Sequence, residues 1–343
     1  MSTEPRRSRR GGSLTLSIED RRRRRSIAVG GYASTAILTS LIGVATAVWQ
    51  VGALRAAGWA SRGLRTPARN ALLADAVPMS VYGRAYGFER AMDNLGAIAG
   101  PLLPIALVSV LSVRTAILLS VVPGLFAVVA MAYAVAHIPR SEKRHPQLKP
   151  QFRVAFSGIK PLFLSIGAFE VGNVAATLLI LRATELLDQR WPTTTATTTA
   201  LVLYVGYNIA ATTASFIGGR WLDARSAGSV LRGGFLCFAI AYGLFAAVGP
   251  EVVALAGAFA LAGIGIGFVE TAEDAAVAQA ARAEVRGSSF GLLAAMQSFG
   301  NLLASSIAGA LWTLVSPTWA FAYLVAWMIG ALLFSLRRSS DMT

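Results

Sequence analysis

The chain has 343 residues, 55% of them hydrophobic and 14% charged, with a mean hydropathy of +0.58. That leaves too little polar surface to cover one or two soluble domains of this length, so the lipid bilayer is the expected solvent. A lone Cys237 excludes a disulfide framework and a cysteine-based metal site, and the two histidines, His137 and His145, argue against a histidine-rich metal or catalytic centre. The formal charge of +14 and the run Arg21 to Arg25 would fit a nucleic-acid-binding arm. However, most Lys and Arg fall in segments that one alternating topology puts on the same side, as the positive-inside rule requires. No nucleic-acid partner and no cofactor are expected.

In chain order, residues 1–26 form a basic tail without an apolar core, which rules out a signal peptide. A helix needs about 20 apolar residues to cross about 30 Å of hydrocarbon. Spans are predicted from Ile27 to about Thr46, from Trp49 to Leu73, from Gly83 to Ser112 and from Thr115 to Ala136. Pro67 should kink the second or mark its water-exposed end. Residues 138–160, with Pro139, Pro146 and Pro150 among mixed charges, read as a cytoplasmic linker. Further spans are predicted from Pro161 to Leu187, Thr194 to Leu222, Gly228 to Val248, Val252 to Ala280, Ser288 to Val315 and Trp319 to Leu336, with Ser316-Pro317 as the turn between the last two. The expected fold is therefore an all-α, two-half helical bundle with about ten transmembrane helices, four in residues 27–137 and six in 161–338. It should sit in the cell membrane as a multi-pass protein with both termini in the cytoplasm.

The halves share a pattern. Superposing Gly83 on Gly287 also superposes Gly87, Ala91, Met92 and Gly96 on Gly291, Ala295, Met296 and Gly300, with Tyr86 on Phe290. Asp20, Gly30, Gly31 and Tyr32 fall on Asp223, Gly233, Gly234 and Phe235 after a one-residue change of offset. The period is too long for a solenoid and fits a duplicated membrane half. On this alignment the two helices before Asp223 have no counterpart before Asp20.

These motifs resemble those of the major facilitator superfamily of secondary transporters, which have two six-helix halves. DRRRRRSIAVGGY is similar to the end of that family's Asp-Arg-x-Gly-Arg-Arg loop, with Asp20, Arg21, Arg24 and Arg25 in place and Arg23 where Gly is usual. GGRWLDARSAGSVLRGGF is similar to the second-half copy, keeping Gly219, Arg220 and Asp223. RGLRTPARNALLADAVP followed by GRAYGFERAMDNLGAIAGP resembles a bacterial branch with an Arg-rich fourth helix. The departure is that the family's first two helices are missing. The resemblance implies a secondary transporter, not an enzyme, that moves a small solute by rocking its halves, coupled to a proton or another ion. The alternatives are a transport-inactive remnant, or a membrane scaffold that binds a partner.

Polar side chains inside the spans are the candidate working residues, since an ionisable group there costs several kcal/mol unless paired or wetted. Arg62, Arg65 and Arg69 form one helical stripe, and Glu89 with Asp93 forms an acidic stripe on the next helix. Glu270, Glu273 and Asp274 make an acidic face at the position that repeats the arginine stripe. With Asp20, Arg21 and Asp223, these charges are expected either to lock or to gate the cytoplasmic side. Arg65 is expected to pair with Glu89 or Asp93. Glu170 with Asn173, Tyr204 with Asn208, Gln297 with Asn301, and Asp93 with Asn94 are the candidate solute or proton pathway. Glu170 is the candidate proton carrier, with a hydrogen-bonded structural acid partnered by Tyr204 or Asn208 as the competing reading. Gly263, Gly265 and Gly267, with Gly96 and Gly100, read as close-packing positions.

Overall fold

The computed structural model describes residues 11–108, 111–137, 162–283 and 285–340; the side chains of residues 11–24, 101–106, 108 and 337–340 lie outside that description, and so does the linker expected at 138–160. The described residues are mostly helical, with no strand among them. Seven helical stretches among them are long and apolar enough to cross a membrane: Arg25–Val44, Val113–His137, Thr193–Ala224, Ala227–Ala247, Val252–Ala280, Arg286–Leu314 and Pro317–Leu336. The chain is thus an all-α, multi-pass membrane protein, in which apolar side chains can face lipid while the backbone amides of the helix interiors bond within their own helix.

Packing divides the chain into two units. One comprises the described residues of Met1–Ala76, Pro104–Ala155 and Ala281–Gly291, and the other those of Val77–Leu103, Phe156–Ala280 and Leu292–Thr343.

In the first unit, α1 (Gly11–Leu41) and α2 (Val48–Ala76) form a hairpin. Their turn is fixed by the Gln50 carboxamide oxygen, which accepts from the backbone N–H of Thr46 at 2.8 Å and of Ala47 at 3.2 Å. A side chain at Gly31 would collide with Cβ of Arg65, so the glycine sets how closely the two helices approach. Helix α2 runs through Pro67 without a break. Ser112 caps α4 (Val113–Leu119) by accepting from the Thr115 N–H. The helix re-forms at once as α5 (Val121–His137), whose third residue, Pro123, needs no hydrogen-bond acceptor in a first turn. One predicted span is therefore two helices end to end. Ala28, Ala68, Leu72 and Val135 form the small core that joins α1, α2 and α5.

The second unit contains the start of α3 (Tyr82–Val108), α6 (162–170), α7 (Ala176–Leu187), α8 (Thr193–Ala224), α9 (Ala227–Ala247), α10 (Val252–Ala280), most of α11 (Arg286–Leu314) and α12 (Pro317–Ser340). Helix α10 is its axis, packed on both α8 and α9. Gly263 and Gly267 meet the backbone of α8 at Tyr207 and Ala211, and Gly265 meets Phe238 and Gly234 of α9, so the alternate glycines serve close packing on two sides. Gly96 and Gly100 do not: no described atom lies within 4 Å of where their side chains would start. Phe169 stacks on Phe235 at 5.1 Å and Phe245 on Phe321 at 5.4 Å, which ties α6, α9 and α12 into one aromatic core.

Candidate functional site

Two polar groups lie in the second unit. The first is built around Arg90 of α3. Its Nη2 and Nε atoms donate to Asp274 Oδ2 at 2.7 and 3.0 Å, while Glu270 Oε2 is 3.7 Å from Nη1 and Glu89 Oε2 is 3.6 Å from Nε. Residues 270 and 274 share one face of α10 because they are four apart. Asp274 is 1% exposed, a burial that a carboxylate tolerates only with a charged, hydrogen-bonded partner. Arg90 does not stand out in the sequence, since nothing in α3 alone reveals that it faces an acid 184 residues away. Its signal is an arginine between Glu89 and Asp93 in the polar first half of a helix whose second half is apolar.

The second group surrounds a break in the chain. Helix α6 ends at Glu170, residues 171–175 are irregular, and α7 starts at Ala176. Irregular backbone inside a membrane must find hydrogen bonds from elsewhere in the protein. Here Tyr323 OH donates to the Val171 carbonyl at 3.2 Å, Asn301 Nδ2 donates to the Asn173 carbonyl at 3.0 Å, and the Ala175 N–H donates to Ser305 Oγ at 3.1 Å. Glu170 is 3% exposed, and its Oε2 accepts from Asn173 Nδ2 at 3.1 Å. Gly300 of α11 lies directly against Glu170, with no room for a side chain between them.

Glu273 is fully buried, and its Oε2 accepts from Gln297 Nε2 at 2.8 Å. Its other oxygen, Oε1, has no hydrogen-bond partner among the described residues. Glu170 and Glu273 lie within electrostatic reach of each other, and Glu170 also of Glu270 and Arg90. Tyr204 stacks on Tyr207 at 5.4 Å, and Tyr207 is within electrostatic reach of Glu270. Asn208 turns its amide to the Tyr204 carbonyl at 2.9 Å. Asp93 is exposed on α3 within reach of the Arg90 charge. Asn94 Nδ2 is a buried donor without a hydrogen-bond partner among the described residues.

The remaining candidates lie elsewhere. Arg65 sits over the Tyr32 ring at 4.1 Å, Arg62 over Trp59 at 6.0 Å, and Arg69 Nε donates to Asn70 Oδ1 at 3.3 Å. Asp223 caps α3: Oδ1 accepts from the Gly83 N–H at 2.6 Å, and Oδ2 from the Arg84 N–H at 3.1 Å and Nε at 2.9 Å. A pair that the sequence did not suggest, Arg286 and Asp75, meets at 2.6 Å in the first unit. The side chains of Asp20 and Arg21 lie outside the described residues. Among the described residues no cluster of three or more His, Cys, Asp or Glu is placed to hold a metal ion.

Apolar helices that enclose buried carboxyls, amides and a broken helix define a polytopic membrane protein with a polar interior. The chain belongs to the Major Facilitator Superfamily, whose family model matches residues 16–201 and 172–341. It is similar to an uncharacterized MFS-type transporter of Methanocaldococcus jannaschii, with 28% identity over 312 residues covering 88% of this chain and 75% of that one. An uncharacterized protein of Mycobacterium tuberculosis is 30% identical over 116 residues, which cover 33% of this chain and 28% of that protein. Two solved structures share the fold at 15% identity. The human organic anion transporter MFSD10 (TETRAN) has a TM-score of 0.75 over 94% of this chain and 79% of its own. The Escherichia coli fucose:proton symporter has a TM-score of 0.65 over 95% and 87%.

Proposed function

We propose that this chain is a proton-coupled secondary transporter that moves a small solute across the cytoplasmic membrane by alternating access. The observation that carries this reading is the Glu170–Glu273 region. Two carboxyl groups are buried beside a broken helix, and neutral amides are their hydrogen-bond partners. A carboxyl in that setting can exchange a proton for a solute contact, and an irregular segment lets the helix change shape around it. A symporter of a sugar and a proton is among the proteins that share the fold.

In this reading α2, α3 and the broken α6–α7 span complete about ten crossings with the seven apolar stretches. The halves 27–137 and 161–338 rock about the site, and both termini and the 138–160 linker face the cytoplasm. The Arg90–Asp274–Glu270 group serves as a charged gate beside it. The pathway also includes Tyr204, Asn208, Asn301, Asp93 and Asn94.

The test uses the full chain in proteoliposomes that enclose a pH-sensitive dye, to which solutes are added in turn. At least one solute should drive a change of internal pH that protein-free vesicles do not show. Solute flux with no accompanying proton movement would remove the proton coupling, and no flux of any solute would remove the transport reading.

A further inference from the structure

The hydrogen-bond inventory around Glu273 is one-sided. Gln297 donates to one carboxyl oxygen and leaves the other without a donor, in a side chain that is fully buried. Glu170 likewise accepts from a neutral amide, that of Asn173, at its Oε2. Arg90 directs its hydrogen bonds to Asp274, with Glu270 and Glu89 next nearest, and forms no hydrogen bond with either glutamate. Both amides have spent an N–H on a carboxylate, and the side-chain oxygens they leave are further acceptors. The groups that face Glu273 electrostatically are Glu170 of α6, Gln297 of α11, and Glu270 and Asp274 of its own α10; those that face Glu170 include Arg90 of α3 and Tyr242 of α9. The balance is negative and rich in acceptors.

A buried acceptor left unmatched is costly, more so when it is charged, and a donor from solution recovers that cost. A carboxylate-bearing solute would bring further acceptors and like charge. A protonated amine or amidine brings several N–H donors and the compensating charge on one group. The Tyr204–Tyr207 stack, within reach of Glu270, offers aromatic surface for the apolar body of such a molecule and a face for its cation.

We infer that the solute of this site is an organic cation with N–H donors, a protonated amine or amidine, held by Glu273 and Glu170 in exchange for protons. This inference rests on the reading of the Glu170–Glu273 region as the transport site.

The test is equilibrium binding to the purified full chain in detergent, using three probes of similar shape: 4-phenylbutylammonium, 4-phenylbutanol and 4-phenylbutanoate. The ammonium should bind most tightly and the carboxylate least. Lowering the pH should weaken the ammonium, because protons compete for the same oxygens. Glu273→Gln should weaken the ammonium by about tenfold or more and the alcohol by less, as expected for the loss of a single charge-assisted hydrogen bond.

Equal affinity for the three probes, a preference for the carboxylate, or an ammonium affinity unaltered in Glu273→Gln would each overturn the inference. Protection by sodium chloride in place of the ammonium would overturn it in favour of an inorganic cation. If Glu273→Gln is not monodisperse, the ranking of the three probes on the native chain decides. Binding is read without flux, so the two readings fail separately. A chain that prefers the ammonium but moves no solute loses only the transport reading, and one that moves carboxylates with protons loses only this inference.

Discussion

The two copies of the glycine pattern, Gly83 to Gly96 in α3 and Gly287 to Gly300 in α11, put the same residues to opposite use. In α3 the first two glycines are the packed ones, where Gly83 and Gly87 lie against the α8 backbone at Gly219 and Ser215, while Gly96 has open space. In α11 the third is packed, with Gly300 against Glu170, and no described atom lies within 4 Å of a side-chain position at Gly287 or Gly291. Polar residues divide in the same way. Glu89, Arg90 and Asp93 of the first copy align with Leu293, Ala294 and Gln297 of the second, so the charged group belongs to α3 and the amide to α11. A duplicated sequence thus keeps its glycine spacing while different glycines of each copy do the packing, and the side chains diverge toward an ion-paired group in one copy and an amide that binds a buried carboxyl in the other.

The largest expected effect comes from the Arg90–Asp274 ion pair. Arg90→Ala leaves Asp274 buried without its guanidinium, a loss of about 3–5 kcal/mol for a buried ion pair broken on one side. Thermal unfolding in detergent should show it, and the double variant Arg90→Ala with Asp274→Asn should recover much of the difference. A single variant as stable as the native chain would mean the pair contributes little.

Next comes the glycine contrast. Gly87→Val should cost about 1–3 kcal/mol or more, because the added atoms meet the Ser215 backbone, which cannot move aside as a side chain does. Gly291→Val should stay within about 0.5 kcal/mol. Equal losses at the two positions in the same unfolding assay would erase the distinction between the copies. Smaller again is Asp223→Ala, which removes the cap from α3 and should cost about 1 kcal/mol. The unfolding temperature should fall less than for Gly87→Val, and a larger fall would mean that Asp223 does more than cap.

Much of the architecture was legible because the membrane imposes a simple code: long apolar stretches, breakers between them and glycines where helices cross. Ser316-Pro317 marked the boundary that the structure draws between Leu314 and Pro317. The breaks within predicted spans were harder to see. Pro123 and the Gly172-Asn173 pair were the signals at 120 and 171–175, but each lies inside a stretch long enough to be read as one span. Side-chain partners were the least legible. Helical spacing shows which residues share a face, as it did for Glu270 and Asp274, but not which neighbouring helix that face meets. Arg90, which helical spacing did not single out, is the cation that the structure places beside Asp274, Glu270 and Glu89. Gln297 and Glu273 were both singled out, but only packing of α10 on α11 shows that they meet.

The smallest expected effect on stability, and the most informative about function, is at Glu170. Glutamine keeps the volume of the side chain and an oxygen that accepts from Asn173, so Glu170→Gln should change the unfolding temperature very little, within the range of about 0.5 kcal/mol typical of silent substitutions. What it removes is the titratable proton. If Glu170 carries the coupled proton, flux driven by a pH gradient should fall in this variant, and its dependence on external pH should flatten, while solute exchange without a gradient continues because no net proton movement is required. The contrast between gradient-driven flux and exchange separates coupling from damage, since a misfolded site would lose both. A native pH profile in Glu170→Gln would return Glu170 to a packing role beneath Gly300. The coupling acid would then be sought at Glu273, whose second oxygen lacks a donor, before Asp93 or Glu270.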